Sequence, residues 1–84
     1  MGRLKVLFFG VARQAVNRSE AILPCEEGIK MDAATVWAKL IREYPPLEPL
    51  RNSTRMARNF EYLPDDGLVS AGDEIALIPP VSGG

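Results

Sequence analysis

Residues 32–46, DAATVWAKLIREYPP, decide the fold class because they carry the one long helical pattern in the sequence. Asp32 is a suitable N-cap, since its carboxylate can accept hydrogen bonds from the free amides of the first turn. Pro45 and Pro46 end the helix, because the residue before a proline is disfavoured in the α region. Apolar residues recur at helical spacing and predict one buried stripe: Ala33, Val36, Trp37, Leu40, Ile41 and Tyr44.

Strand patterns lie on both sides of this helix. They are rich in apolar, β-branched and aromatic residues, and turn residues such as Pro64-Asp65-Asp66-Gly67 separate them. This order predicts an α+β roll, in which one main helix packs across one face of a mixed sheet of about four to five strands. The strand patterns are residues 4–9, 19–23, 54–59, 60–63 (a continuation or a short neighbour) and 74–78.

Side-chain alternation assigns the two most apolar strands to the centre of the sheet. Leu4, Val6 and Phe8 lie on one face of the first strand, which leaves Phe9 directed to the other face. Ile78 has the same outward direction at the end of the last strand. If these strands are parallel neighbours, Phe9 and Ile78 lie together and form an exposed docking patch. The alternative is that a loop covers the pair.

The last strand is followed by six residues with a distinct composition. Proline has no backbone N–H for a sheet and fixes φ, so we expect a domain over residues 1–78 and an extended, flexible tail over residues 79–84. Such a thin arm can carry its terminal carboxylate into the active site of another protein. The alternative is a frayed end without a role. The tail residues are Pro79, Pro80, Val81, Ser82, Gly83 and Gly84.

Composition excludes several classes of function. The chain of 84 residues has no histidine and a single cysteine, Cys25, so it cannot build the usual nucleophile pairs with histidine or a typical zinc site. The ten basic residues are scattered and the net charge is −1, which argues against nucleic acid as a partner. The apolar runs are too short for a bilayer, so we expect a soluble, cytoplasmic protein without a metal.

Both ends of the chain resemble one known family. The opening LKVLFFGVAR (residues 4–13), the turn GDEI (72–75) and the ending IPPVSGG (78–84) resemble the small subunits of molybdopterin synthase. These subunits are ubiquitin-like sulfur carriers, so the resemblance implies a β-grasp roll. Residues 20–53 match in pattern rather than in motif. Arg58 departs from the family, whose members often carry an apolar strand residue there.

The resemblance also implies a chemical cycle at the C-terminus. An E1-like activating enzyme would use ATP to convert the carboxylate of Gly84 into an acyl-adenylate, and sulfur from a donor protein would then displace AMP and leave a thiocarboxylate. In the active site of the large synthase subunit, two such sulfur transfers to cyclic pyranopterin monophosphate would form the dithiolene of molybdopterin. The chain would hold no permanent cofactor and would not be catalytic in isolation. Two small subunits and a large-subunit dimer would form a heterotetramer.

Individual residues receive roles from the same resemblance. Gly84 would carry the sulfur, and Gly83 would allow close passage through the channel of the large subunit, with Pro79, Pro80, Val81 and Ser82 threading behind. Apolar contacts with the large subunit would fall on Phe9, Tyr62 and Ile78. Arg13 would add a polar contact.

Three other functions remain open from the sequence. The chain could be a ubiquitin-like protein modifier that is conjugated through Gly84, because the same activated carboxylate serves either fate. It could also be the sulfur carrier for thiamine synthesis, although the Pro-Pro pair and the chain length argue against this function. The third alternative is a plain binding module whose tail has no role.

Overall fold

The structure is a computed structural model, and it describes residues 2–79. The predictions for Pro80 to Gly84 therefore lie outside the described residues. Besides seven strands and two α-helices, the described part contains a 3-10 helix at Pro45–Ser53. In chain order the other elements are β1 (Gly2–Phe8), α1 (Gly10–Val16), β2 (Glu20–Cys25), β3 (Met31–Asp32), α2 (Ala33–Glu43), β4 (Arg55–Arg58), β5 (Glu61–Tyr62), β6 (Leu68–Val69) and β7 (Glu74–Ile78).

Five strands form the main sheet in the order β2-β1-β7-β4-β5. β1 and β7 run parallel at its centre, with Leu7 opposite Ala76. The other neighbouring pairs in this sheet are antiparallel. A small second ladder joins β3 to β6. The predicted α+β roll is confirmed, and so is the parallel pairing of the first and last strands.

The core lies on one face of the main sheet, beneath α2. Val36, Trp37 and Leu40 are the buried residues of this helix, as its apolar stripe predicts. They belong to one cluster with the inward residues of the central strands, and each large side chain buried in this way contributes about 1.5–3 kcal/mol. The inward strand residues are Leu4, Val6, Phe8, Ile75 and Leu77.

Four features of the fold differ from the sequence prediction. The sequence of residues 11–17 predicts a connection with one helical turn, whereas α1 has seven residues. Residues 47–53 predict a connector with a short helical turn, whereas the structure has a longer 3-10 helix that buries Leu47. The β3–β6 ladder was not predicted, because two-residue strands carry no alternation that a sequence pattern can reveal. Phe9 lies just outside β1, where it is the N-cap residue of α1 in an extended conformation.

Arg58 fits the sheet without entering the core. It is the last residue of β4, its side chain is exposed, and its Nη1 donates a hydrogen bond of 2.6 Å to the Leu68 carbonyl oxygen. A charged side chain at the end of a strand can keep its head in water. The departure from the family pattern therefore leaves the packing of β4 intact.

The hairpin between β4 and β5 turns through two residues with positive φ. Asn59 has φ 50° and Phe60 has φ 73°, the combination of a type I′ turn. Asn59 ties this turn to the start of β7: its Oδ1 accepts from the Glu74 N–H at 2.9 Å, and its Nδ2 donates to the Asp73 carboxylate at 3.1 Å. Phe60 is unusual at a position where glycine is preferred, because a side chain in the left-handed region costs about 1–2 kcal/mol.

The N-cap of α2 is Asp32, as the sequence predicts. Its Oδ1 accepts a hydrogen bond from the Thr35 N–H at 2.8 Å. Hydrogen bonds from the side chain and the backbone of Thr35 hold the pKa of the Asp32 carboxyl below its ordinary value. The ionised carboxylate therefore stabilises the first turn of α2.

We expect Asp32→Ala to lower the thermal unfolding midpoint by a few degrees at pH 7, because the variant loses this cap. The pKa of Asp32 is lower in the folded state than in the unfolded state. The stabilisation that the cap provides is therefore present above the unfolded-state pKa, and it is lost as the pH falls through the folded-state pKa. The melting curves of wild type and variant should converge in acid. Asp32→Asn keeps an acceptor oxygen and should retain most of the stability at pH 7. Equal midpoints for wild type and Asp32→Ala at pH 7 would contradict the cap.

We also expect Phe60→Gly to be about 1 kcal/mol more stable to urea than Phe60→Ala, because glycine adopts the required φ without a Cβ penalty. Both variants remove the same aromatic ring, so their difference isolates backbone strain. Equal free energies of unfolding would show that the turn does not strain Phe60.

Candidate functional site

An apolar groove lies on the face of the main sheet opposite α2. We call it the open-face groove, and its volume is about 360 Å³. Apart from Glu74, its lining residues are apolar or aromatic. They come from β1, the residue after it, β7 and the β4–β5 hairpin: Leu7, Phe9, Ala57, Phe60, Tyr62, Glu74, Ala76 and Ile78.

Strand register explains how the groove forms. Leu7 pairs with Ala76, and Ala57 pairs with both Ala76 and Tyr62. Residues directly opposite each other point to the same face of a sheet, so these four side chains form one row across the open face. The two alanines are the low floor of the groove. Larger side chains from the β1 side and from β5 rise beside them.

Three aromatic side chains of the groove are exposed. The exposed fractions are 47% for Phe9, 54% for Tyr62 and 90% for Phe60. The alternative that a loop covers Phe9 therefore does not hold within residues 2–79. Large contiguous apolar patches are rarely exposed on monomeric soluble proteins, and where they occur they often mark a protein-binding site.

Charged groups surround this apolar centre. Lys5 Nζ lies 3.4 Å from a Glu20 carboxylate oxygen and 4.0 Å from one of Glu74. The guanidinium of Arg55 lies 4.0 Å from the centroid of the Tyr62 ring, which is a cation–π arrangement. An apolar centre with a polar rim is the usual anatomy of a protein interface.

The tail begins beside the groove. Pro79 directly follows Ile78, the last residue of β7, and its ring packs against Gly10. Gly10 has φ +54°, and a Cβ there would lie 2.7 Å from the Pro79 Cγ, closer than side chains tolerate. Gly10 follows Phe9, so the contact with Pro79 places the start of the tail next to the β1 side of the groove.

The structure brings together three of the residues that the resemblance implicates in partner contacts. Phe9, Tyr62 and Ile78 all line the open-face groove. Arg13 does not: it is exposed on α1 and lines a separate, polar cavity together with Gly10. It is therefore close to the start of the tail and apart from the groove.

Phe60 is the aromatic groove residue that the sequence pattern did not reveal. Residues 60–63 were expected to extend a strand or to form a short neighbour, so Phe60 received no role. A signal was present, since Asn59 and Phe60 separate two short strand patterns by the two residues of a tight hairpin. Phenylalanine in the place of the usual glycine hides that turn.

Within residues 2–79, no group of three or more His, Cys, Asp and Glu side chains could hold a metal ion. No helix in this part of the chain is long and apolar enough to cross a membrane. Cys25 is half-buried and carries a free thiol. The described residues therefore provide an apolar contact surface, the open-face groove, next to the start of the tail.

Comparisons with known proteins place the chain in a family. The model of the ThiS family matches residues 6–84. A protein of Arabidopsis thaliana is 35% identical over 81 residues, which cover 96% of this chain and 82% of the relative. A human protein is 37% identical over 86 residues, covering 98% of this chain and 94% of the relative. Both relatives are named molybdopterin synthase sulfur carrier subunit.

Solved structures share the fold. SAMP1, the small archaeal modifier protein 1 of Haloferax volcanii, aligns with a TM-score of 0.81 at 22% identity, covering 99% of this chain and 100% of that one. A Helicobacter pylori complex of subunits 1 and 2 of molybdopterin-converting factor contains a chain that aligns with a TM-score of 0.67 at 23% identity. The alignment covers 98% of this chain and 99% of that one. The ubiquitin-like β-grasp fold and the resemblance to molybdopterin synthase small subunits are confirmed. The chain belongs to the ThiS family.

Proposed function

We propose that this chain is the sulfur carrier subunit of a molybdopterin synthase, a sulfur-donating subunit without catalytic activity in isolation. The observation that carries the proposal is the similarity, above 30% identity and over nearly the whole chain, to proteins with this name. The family match extends to residue 84, so it includes the Gly-Gly ending. The open-face groove adds a surface on which a catalytic partner can dock.

The chemistry would take place at the carboxylate of Gly84. An ionised carboxylate is a poor electrophile at neutral pH and holds no transferable sulfur. Its oxygen would attack the α-phosphorus of ATP on an E1-like activating enzyme, which releases pyrophosphate and leaves an acyl-adenylate. Sulfide-level sulfur from a donor protein would attack the acyl carbon and displace AMP, which forms the thiocarboxylate. Two such thiocarboxylates would each transfer one sulfur atom to cyclic pyranopterin monophosphate and return to carboxylates by hydrolysis, so that the two sulfur atoms form the dithiolene of molybdopterin.

The length of the tail restricts where the partner lies. Residues 80–84 can span at most about 18 Å when fully extended. An active site that receives Gly84 must therefore lie within this distance of Pro79. The protein that contains it would cover the surface next to Pro79, where Phe9 and Ile78 are located. Arg13 is close enough to the same point to add a polar contact.

The proposed partner in this complex is the large synthase subunit. Subunits 1 and 2 form a protein–protein complex in the Helicobacter pylori relative. Two carriers bound to a large-subunit dimer would give a heterotetramer. The activating enzyme and the sulfur donor would act earlier in the cycle. A cytoplasmic location and the lack of a permanent cofactor stay predictions.

The second candidate is a protein modifier. The observation in its favour is the structural similarity to a small archaeal modifier protein. A modifier would be recovered in isopeptide linkage between Gly84 and lysines of other proteins, which a digest of cellular protein reveals. The names of the relatives favour the synthase subunit over both the modifier and the carrier for thiamine synthesis.

We expect deletion of Gly84 to abolish molybdopterin formation in a reconstituted synthase, because the sulfur-bearing atom is lost. The fold and the complex with the large subunit should survive, since the core and the groove lie within residues 2–79. Gly83→Leu should reduce product nearly as strongly by blocking the channel. Product can be measured by fluorescence of the oxidised pterin, and the complex by gel filtration. Full dithiolene production by the shortened chain would contradict the proposal.

Charge placed in the open-face groove should weaken the complex. We expect Phe9→Asp and Ile78→Asp to raise the Kd for the large subunit at least tenfold, which corresponds to about 1.4 kcal/mol or more. Both side chains face away from the core, so circular dichroism should show folded protein. Ile29→Asp is the matched control, because Ile29 is 52% exposed and does not line the groove. An unchanged Kd, or loss of the fold, would show that the groove is assigned wrongly.

A further inference from the structure

We propose that Phe60 is a principal contact of this chain with the large synthase subunit and that the interface extends across the open-face groove to the tip of the β4–β5 hairpin. This inference rests on the proposed function and adds a contact residue outside the positions implied by the family resemblance. The partner surface that fits here is an apolar segment with aliphatic or aromatic side chains.

The exposure of Phe60 favours a contact with a partner. It is the most exposed of the large apolar side chains in the described part of the chain. With Tyr62 it forms the wall of the groove on the β5 side. Aromatic side chains bury large apolar areas when a partner covers them, and they are frequent among the residues that dominate binding. Water is an unfavourable environment for such a ring.

The fold does not need the ring of Phe60. Phe60 is absent from the core cluster, and its backbone has a φ of 73°, which disfavours any side chain with a Cβ. The turn is held by Asn59, which bonds to both Asp73 and Glu74. A glycine would serve the hairpin better than phenylalanine. The reason for an aromatic residue must therefore lie outside the folding of this chain.

The position of Phe60 relative to the tail identifies the partner. Asn59 pairs with the start of β7 at Glu74, whereas the tail begins after the end of β7 at Ile78. Phe60 and the start of the tail therefore mark opposite ends of the groove, about 13 Å apart along the strand direction and about 10 Å across it. A standard interface covers about 800 Å² on each partner, a patch wider than this separation. A protein that receives the tail and fills the groove reaches Phe60.

The chemistry of the groove specifies an apolar occupant. Among residues 2–79, Glu74 is its one charged lining residue, and Lys5 lies 4.0 Å from that carboxylate. The floor is made of Ala57 and Ala76, whose small side chains leave room for a side chain from the partner. A charged side chain above this alanine floor would lose hydration without gaining a partner group from it.

The test measures binding of the large subunit from the same organism to the full chain by isothermal titration calorimetry. Phe60→Gly and Phe60→Asn both permit positive φ, and we expect both to raise the Kd at least tenfold. Ile29→Ala removes a similarly apolar, exposed side chain outside the groove and should change the Kd less than twofold. Urea unfolding of the same samples should show that Phe60→Gly is no less stable than wild type, which separates lost contact from lost structure.

If the Phe60 variants bind like wild type while Phe9→Asp does not, the inference is wrong and the proposed function stands. If wild type itself does not bind the large subunit, both are overturned. If sedimentation shows that wild type self-associates, that Phe60→Gly does not, and that binding of the large subunit is unchanged, a second copy occupies the groove and the inference is again wrong.

Discussion

The parallel pairing of β1 with β7 is the interaction on which the rest of the molecule depends. It joins the two ends of the chain at the centre of the sheet, with Leu7 opposite Ala76 and Phe8 opposite Leu77. Parallel strands in one sheet require a long crossover, and here residues 9–73 supply it, including the α2 helix that covers the core. Because the pairing sets which side chains are neighbours at the end of β7, it also sets what surrounds the start of the tail.

Side chains alternate along each central strand, so the two faces of the strand have different roles. One face of β1 and β7 is buried beneath α2 and stabilises the fold, while the other face forms the floor and the β1 side of the open-face groove. Binding surface can therefore be presented without weakening the core, because the two sets of side chains do not overlap. The close approach of Pro79 to Gly10 places the start of the tail beside the groove.

Much of this arrangement could be predicted from the sequence, for identifiable physical reasons. The stripe of α2, its Asp32 cap and the outward direction of Phe9 and Ile78 follow from spacing, which sequence patterns report directly. The β3–β6 ladder and the extent of the 3-10 helix could not be predicted, because two-residue strands and a proline-rich connector carry no periodicity. Phe60 was missed for a different reason: phenylalanine stands where a tight hairpin turn usually has glycine, so the two residues between β4 and β5 resemble a continuing strand.

We propose that the folded body provides contact surface while the terminal glycine carries the reacting sulfur. Intact mass spectrometry of the chain, isolated from cells that make molybdopterin, distinguishes this role from a tail without chemistry. We expect a species heavier than the unmodified chain by the difference between one sulfur and one oxygen atom, with the added mass mapped to Gly84 by fragmentation. Recovery of only the unmodified carboxylate, while the same cells accumulate molybdopterin through this chain, would contradict it.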